Sequence, residues 1–343
     1  MSRVKQTTFY KFTLIIIFIF SAFSSFAQEY FWKAGMINIA DNREYFNDFQ
    51  KGETILASRI NGSVGIKIDD DHHFVAGLDY MFEYGHKLNA QPIIPVLYYH
   101  YDRQPLEFMM GSFPRFKKLN YPNMLVQNKF VYYHPNIQGL YAKVFNQNHH
   151  QAIWVNWLQK QTLTQREKFM YGGHGRLNFN RFFFEHYFVM IHQAKSLQST
   201  SEHIRDNGGL IARFGLHLNP SKSILDTFYL SAGPSFTADQ LRGSYNFRIN
   251  TGFTAMLDIR KNWMGLQAHY FHNPGTEILS GAPIYQAKNY TRLNCYFDII
   301  EHRNMNLKFE YDLHFMSGII DHSQSIVISV DLQNSFKRSS AAE

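Results

Sequence analysis

Over long stretches this chain repeats with a period of two, and the two faces that the period separates belong in different solvents. In 306–315, Leu307, Phe309, Tyr311, Leu313 and Phe315 alternate with Asn306, Lys308, Glu310, Asp312 and His314. A β-strand sends successive side chains to opposite faces. Five consecutive polar or charged residues on one face cannot enter a packed core without large desolvation costs. The same alternation runs through Ile60, Gly62, Val64, Ile66 and Ile68 against Asn61, Ser63, Gly65, Lys67 and Asp69. It recurs in Phe74, Ala76, Leu78, Tyr80, Phe82 and Tyr84 against Val75, Gly77, Asp79, Met81 and Glu83. A wall with hydrocarbon on one side and water on the other satisfies both faces, so the expected fold is all-β: an antiparallel, up-and-down transmembrane barrel.

Sixteen strands are expected, at 29–40, 55–68, 73–84, 93–101, 106–113, 130–145, 151–158, 169–178, 182–193, 208–218, 227–236, 246–260, 264–272, 284–298, 305–316 and 325–336. Their lengths bracket what a tilted membrane strand needs. Connections alternate between short ones, such as 69–72, 102–105 and 261–263, and longer ones, at 41–54, 85–92, 114–129, 159–168, 194–207, 237–245, 273–283 and 317–324. Outer-membrane barrels carry that asymmetry, with periplasmic turns and extracellular loops. Trp32, Trp154, Trp157 and Trp263, near strand ends, suit aromatic girdles. A secreted sandwich would share the alternation, but it gives no reason for the unequal connections.

Residues 1–27 read as a cleaved export signal: Arg3, Lys5 and Lys11 precede an apolar run, and Ser25-Phe26-Ala27 supplies the small-residue cleavage pattern. The barrel then occupies 28–336, and 337–343 form a short tail. The signal holds three of the 34 basic residues, which leaves an excess of four over the 27 acidic ones, too dilute for a nucleic-acid surface. The single cysteine, Cys295, excludes an internal disulfide.

The last strand, Ser325 to Phe336, resembles the terminal strand of bacterial outer-membrane proteins, which ends in an aromatic residue. Gly111-Ser112-Phe113-Pro114-Arg115-Phe116, closing a strand and entering a long connection, resembles the corresponding segment of the phosphate-selective porin group. The resemblance implies a passive porin-type channel in a Gram-negative outer membrane. The expected partners are membrane lipid, lipopolysaccharide and small hydrophilic solutes, with a trimer as the oligomer porin-like barrels often adopt.

Sixteen strands enclose water rather than a filled interior. The connection 114–129 occupies the position of the loop that narrows many porins, so Arg115, Lys117 and Lys118 are the candidate constriction, favouring anionic or polar solutes. Expected lumen-facing charges include Arg59, Lys67, Asp79, Glu83, Arg176, Arg213, Lys308, Glu310 and Asp312. The signs nearly cancel, and cross-lumen pairing follows. No cofactor, metal site, catalytic residue or enzymatic activity is expected on this reading. The seventeen histidines read as structural or solvated, because neighbours such as His72 and His73 point to opposite faces of a strand. Two rival functions remain: a non-conducting subunit of a secretion or assembly complex, and an enzyme at the outer rim using Ser201, Glu202, His203 and Asp206.

Overall fold

In the computed structural model the described residues are 29–337, without 88–89, 117, 200, 219–224 and 273–276. The expected export signal and the expected tail beyond Lys337 lie outside them. Sixteen antiparallel strands pair in sequence order, and β1 (Glu29–Glu44) closes the ring against β16 (Ile319–Lys337). Their register runs from Glu29 opposite Lys337 to Glu44 opposite His322, which leaves no open sheet edge and puts both ends of the barrel wall at one rim. Closure is what lets a β-wall stand in lipid, since every backbone polar group finds a partner in the wall.

The intervening strands are β2 (Glu53–Lys67), β3 (His72–Glu83), β4 (Ile94–Arg103), β5 (Leu106–Pro114), β6 (Asn136–Phe145), β7 (His149–Gln159) and β8 (Lys168–Phe179). The other half comprises β9 (Phe182–Gln193), β10 (Arg205–Leu218), β11 (Thr227–Leu241), β12 (Tyr245–Lys261), β13 (Met264–His272), β14 (Asn289–His302) and β15 (Met305–Met316). Exposed apolar residues line the outside, among them Leu56, Ile60 and Val64 on β2, Leu97 on β4 and Ile153 on β7. Their sequence neighbours on the opposite face are the buried ones, such as Ala57, Arg59, Val96 and Trp154.

Two expected strands begin late. Residues 128–133 form a helical turn, α1 (Asn128–Tyr133), and Pro135, which lacks an N–H for a ladder, separates it from β6. Pro283 starts a 3-10 turn, Pro283–Gln286, before β14. Two expected outer loops are instead strand. The β11–β12 connection shrinks to 242–244. Between β15 and β16 only Ser317 and Gly318 remain, both left-handed with φ of 50° and 81°, the geometry of a tight hairpin. Outer connections are therefore not uniformly long.

The lumen is occupied. From the end of β5 the chain turns inward, and Arg115 N–H donates to the Pro135 carbonyl at 2.7 Å to close the neck of an inserted segment, 115–135. Its Leu119, Tyr121, Met124, Leu125 and Val126 are buried in one apolar cluster with Val75, Val96, Met109, Phe113, Ile137, Trp154, Met170, Ile211, Phe271 and Met316. Those wall residues come from strands around most of the ring, so the cluster spans the interior. A second segment from the β13–β14 connection docks on the first. Gln127 N–H donates to Ser280 O at 2.9 Å, and Ala282 N–H to Asn123 O at 2.8 Å. Contact is close enough that a Cβ on Gly281 would sit 1.9 Å from the Met124 carbonyl oxygen.

Candidate active site

Beside these inserted segments, a cavity of about 60 Å³ opens against the wall formed by β14, β15, β16 and β1. Strand alternation brings Arg292, Asp312, His314, Ser323 and Asp41 to this face. Tyr45, Asn123, Gln127, Asn128, Tyr132 and Tyr285 close it from the connections. The space is large enough for several waters or one small polar group.

Register explains the grouping. Asp312 lies directly opposite Ser323 across β15 and β16, and His314 lies two residues further on the same face. Nε2 of His314 is 3.1 Å from Ser323 Oγ, and its Nδ1 is 2.7 Å from the Tyr290 hydroxyl, so both ring nitrogens are held. The Tyr290 ring stacks on the imidazole with 5.9 Å between centroids, while Tyr45 approaches edge-on at 5.3 Å. Asp312 accepts from Arg292 Nε at 2.6 Å and from Asn294 Nδ2 at 2.8 Å. Arg43 grips Asp41 through two bonds, of 3.0 and 2.7 Å, and reaches Glu53 at 3.1 Å. The Tyr45 hydroxyl hydrogen-bonds with Ser323, and burial pushes this phenol up to about 12, with Arg43 opposing. Tyr45 is thus a neutral hydroxyl beside a serine that is itself beside a histidine, the elements of nucleophilic acyl transfer.

Of the expected site residues, Glu310 and Asp312 line this cavity and the others fall elsewhere. Arg115 is 1% exposed and lies over the Phe130 ring inside the inserted segment, and burial lowers its guanidinium to about 10. Lys118 pairs with Glu107. Lys117 is outside the described residues. Arg59 and Asp79 form a buried pair at 3.1 Å, and Arg59 also donates to the Tyr132 carbonyl. Lys67 pairs with Glu29 at 3.0 Å, Glu83 accepts from Tyr133 at 3.0 Å, and Lys308 pairs with Glu310 at 2.6 Å. Arg213 and Arg176 share Glu185 at 2.6 and 3.8 Å. The outer-rim set does not assemble: Glu202 accepts from Ser196, His203 bonds the Arg242 carbonyl, and Asp206 pairs with His192 at 2.6 Å. Ser323, His314 and Tyr290 were not singled out by the sequence. The available signal was His314 on the polar face of β15, with Ser323 assigned to a loop that is in fact strand.

Comparison with solved structures supports the architecture. A loop-deletion mutant of OmpT, an outer-membrane protein of Vibrio cholerae, superposes with a TM-score of 0.57 at 7% identity, covering 89% of this chain and 100% of that one. The anion-selective porin of Comamonas acidovorans gives 0.54 at 8%, covering 89% and 100%, and Pseudomonas aeruginosa OpdO gives 0.52 at 11%, covering 91% and 98%. These likenesses place the fold among outer-membrane porin-like barrels. They do not carry the narrower likeness to phosphate-selective porins read from Gly111 to Phe116. No curated protein matches the chain. A family model described as lipid A 3'-O-deacylase-type matches residues 24–342. That description names an enzyme, and it overturns the expectation, drawn from the pore reading, that no catalysis would be found. The chain belongs to the lipid A 3'-O-deacylase-type family.

Proposed function

We propose that this protein is an outer-membrane hydrolase that cleaves an ester-linked acyl chain from lipid A, with Ser323 as nucleophile and His314 as its base. The observation that carries the reading is the 3.1 Å approach of His314 Nε2 to Ser323 Oγ in a polar cavity of a barrel from this family. Ser323 Oγ attacks the ester carbonyl while His314 takes its proton, forming a tetrahedral oxyanion beside the neutral Tyr45 hydroxyl. Collapse breaks the bond to the sugar oxygen, which recovers the proton from His314. Water, activated by the same histidine, then releases the fatty acid. Tyr290 fixes the ring through Nδ1, and the Arg292 ion pair with Asp312 holds the face on which Ser323 stands.

Tyr45 and the inserted segments, which line the cavity without being built into the barrel wall, are the parts that meet the entering lipid. The test is incubation of the purified barrel with lipid A and mass analysis of the product, alongside Ser323→Ala. Acyl loss with the wild type and none with the variant supports the assignment.

A second reading, passive diffusion of small hydrophilic solutes, is favoured by the girth of a sixteen-stranded ring. The apolar cluster across the lumen weighs against an open path. Planar-bilayer conductance separates the two.

A further inference from the structure

Three metal-ligating side chains meet inside the barrel at the opposite rim, where Glu29 and Lys337 lie, and a fourth, His73, stands beside them. His73 on β3 stands directly opposite His100 on β4, and Asp102 on β4 directly opposite Glu107 on β5. By alternation all four share the face of the buried Val75, Tyr98 and Met109. Directly opposed residues have Cβ atoms roughly 5 Å apart. Ligand atoms of His100, Asp102 and Glu107 all lie within 4.8 Å of one another, and His100 Nε2 is 3.0 Å from Glu107 Oε1.

His73 supplies an independent observation. Its ring meets the His100 ring edge-on at 5.4 Å. The ring bonds the backbone of Asp70, yet its Nε2 is buried without a partner. Nδ1 therefore makes the backbone bond and Nε2 keeps a lone pair with nothing to receive it. Metal-binding histidines are commonly held that way, one nitrogen fixed by a backbone carbonyl and the other presented to the ion.

We propose that His73, His100, Asp102 and Glu107 form a binding site for a divalent first-row transition ion of the zinc class. Two imidazoles with two carboxylates suit such an ion better than Mg²⁺ or Ca²⁺, which prefer all-oxygen shells. Zinc bonds of ~2.1 Å put ligand atoms on one ion about 3.4 Å apart, so His100, Asp102 and Glu107 tighten by about an ångström and the His73 ring turns in to join them. Glu107 is contested. Lys118 of the inserted segment pairs with it, and Lys143 Nζ lies 4.0 Å away. A bound cation displaces Lys118 from Glu107, so the site and one anchor of the inserted segment compete for the same carboxylate.

The test is calorimetric titration of Zn²⁺ into the full chain, purified in detergent without a histidine tag and stripped with chelator. One saturable site is expected, weakened by roughly tenfold or more in His100→Ala and in Glu107→Gln. Lys118→Met is expected to tighten it, because the competing cation is gone. His73→Ala, whose ring lies at the rim, is the second variant, and heat-dependent gel mobility checks that each barrel is closed. Absence of saturable Zn²⁺ binding, affinity unchanged in both His100→Ala and His73→Ala, or equal affinity for Ca²⁺ would overturn the assignment.

Discussion

Ser323 Oγ lies 3.1 Å from Nε2 of His314, on adjacent strands of the last hairpin, and the other ring nitrogen is 2.7 Å from the Tyr290 hydroxyl. The pair exists because Ser317 and Gly318 turn the chain in two residues. A longer loop would take Ser323 out of the ladder and away from the histidine.

If Ser323 attacks and His314 takes its proton, Ser323→Ala and His314→Gln each lower acyl release by at least roughly 10²- to 10⁴-fold, the reach of general-base catalysis alone. Mass analysis of lipid A after incubation reads the loss. Folding is checked by gel mobility, which neither substitution is expected to alter.

Tyr290→Phe keeps the stacked ring and removes only the hydroxyl on Nδ1. Turnover should fall by about tenfold with KM unchanged, since the lost bond orients the base rather than holding substrate. A rise in KM at constant kcat would place Tyr290 against the substrate instead.

Gly281 touches the Met124 carbonyl so closely that any Cβ collides with backbone. Gly281→Ala should loosen the docked segments at a cost of about 1–3 kcal/mol while leaving the wall intact. Hydrogen exchange at 119–127 should rise, with strand protection unchanged. Replacing 115–133 by a flexible linker should raise bilayer conductance well above that of the wild type, because the apolar cluster loses its centre.

Tyr45 has its phenol pushed up to about 12 by burial. A raised value means the neutral form is favoured in the fold. The stability it contributes is present in full below the ordinary value near 10 and is lost as pH rises through about 12. Absorbance at 295 nm should show one fewer late-ionising tyrosine in Tyr45→Phe, with the curves of variant and wild type separating only above about pH 10.

Much of the wall was legible because the alternation of two solvents is written residue by residue. Leu307 to Phe315 could be only one kind of strand, and β9, β13 and β15 have the bounds the pattern gave. The inserted segment was harder to read. Its place in the strand order and its Arg115, Lys117 and Lys118 read as a charged constriction, yet Leu119, Met124, Leu125 and Val126 are too apolar for a loop that lines water. Val75, Met109 and Met170 on the inward face gave the complementary hint of a cluster to bury against. The candidate site was hidden for a geometric reason. His314 and Ser323 are nine apart in sequence, and only the tight turn at Ser317 and Gly318 brings them together. His73 and His100 likewise pair across strands, which adjacency along the chain does not disclose.

The most direct measurement is the mass of lipid A after exposure to the purified, detergent-folded protein. Loss of one ester-linked acyl chain with the wild type, and an unchanged lipid with Ser323→Ala, is the expected result. Intact lipid A with the wild type, together with steady ohmic conductance in bilayers, would contradict the hydrolase and return the chain to a pore.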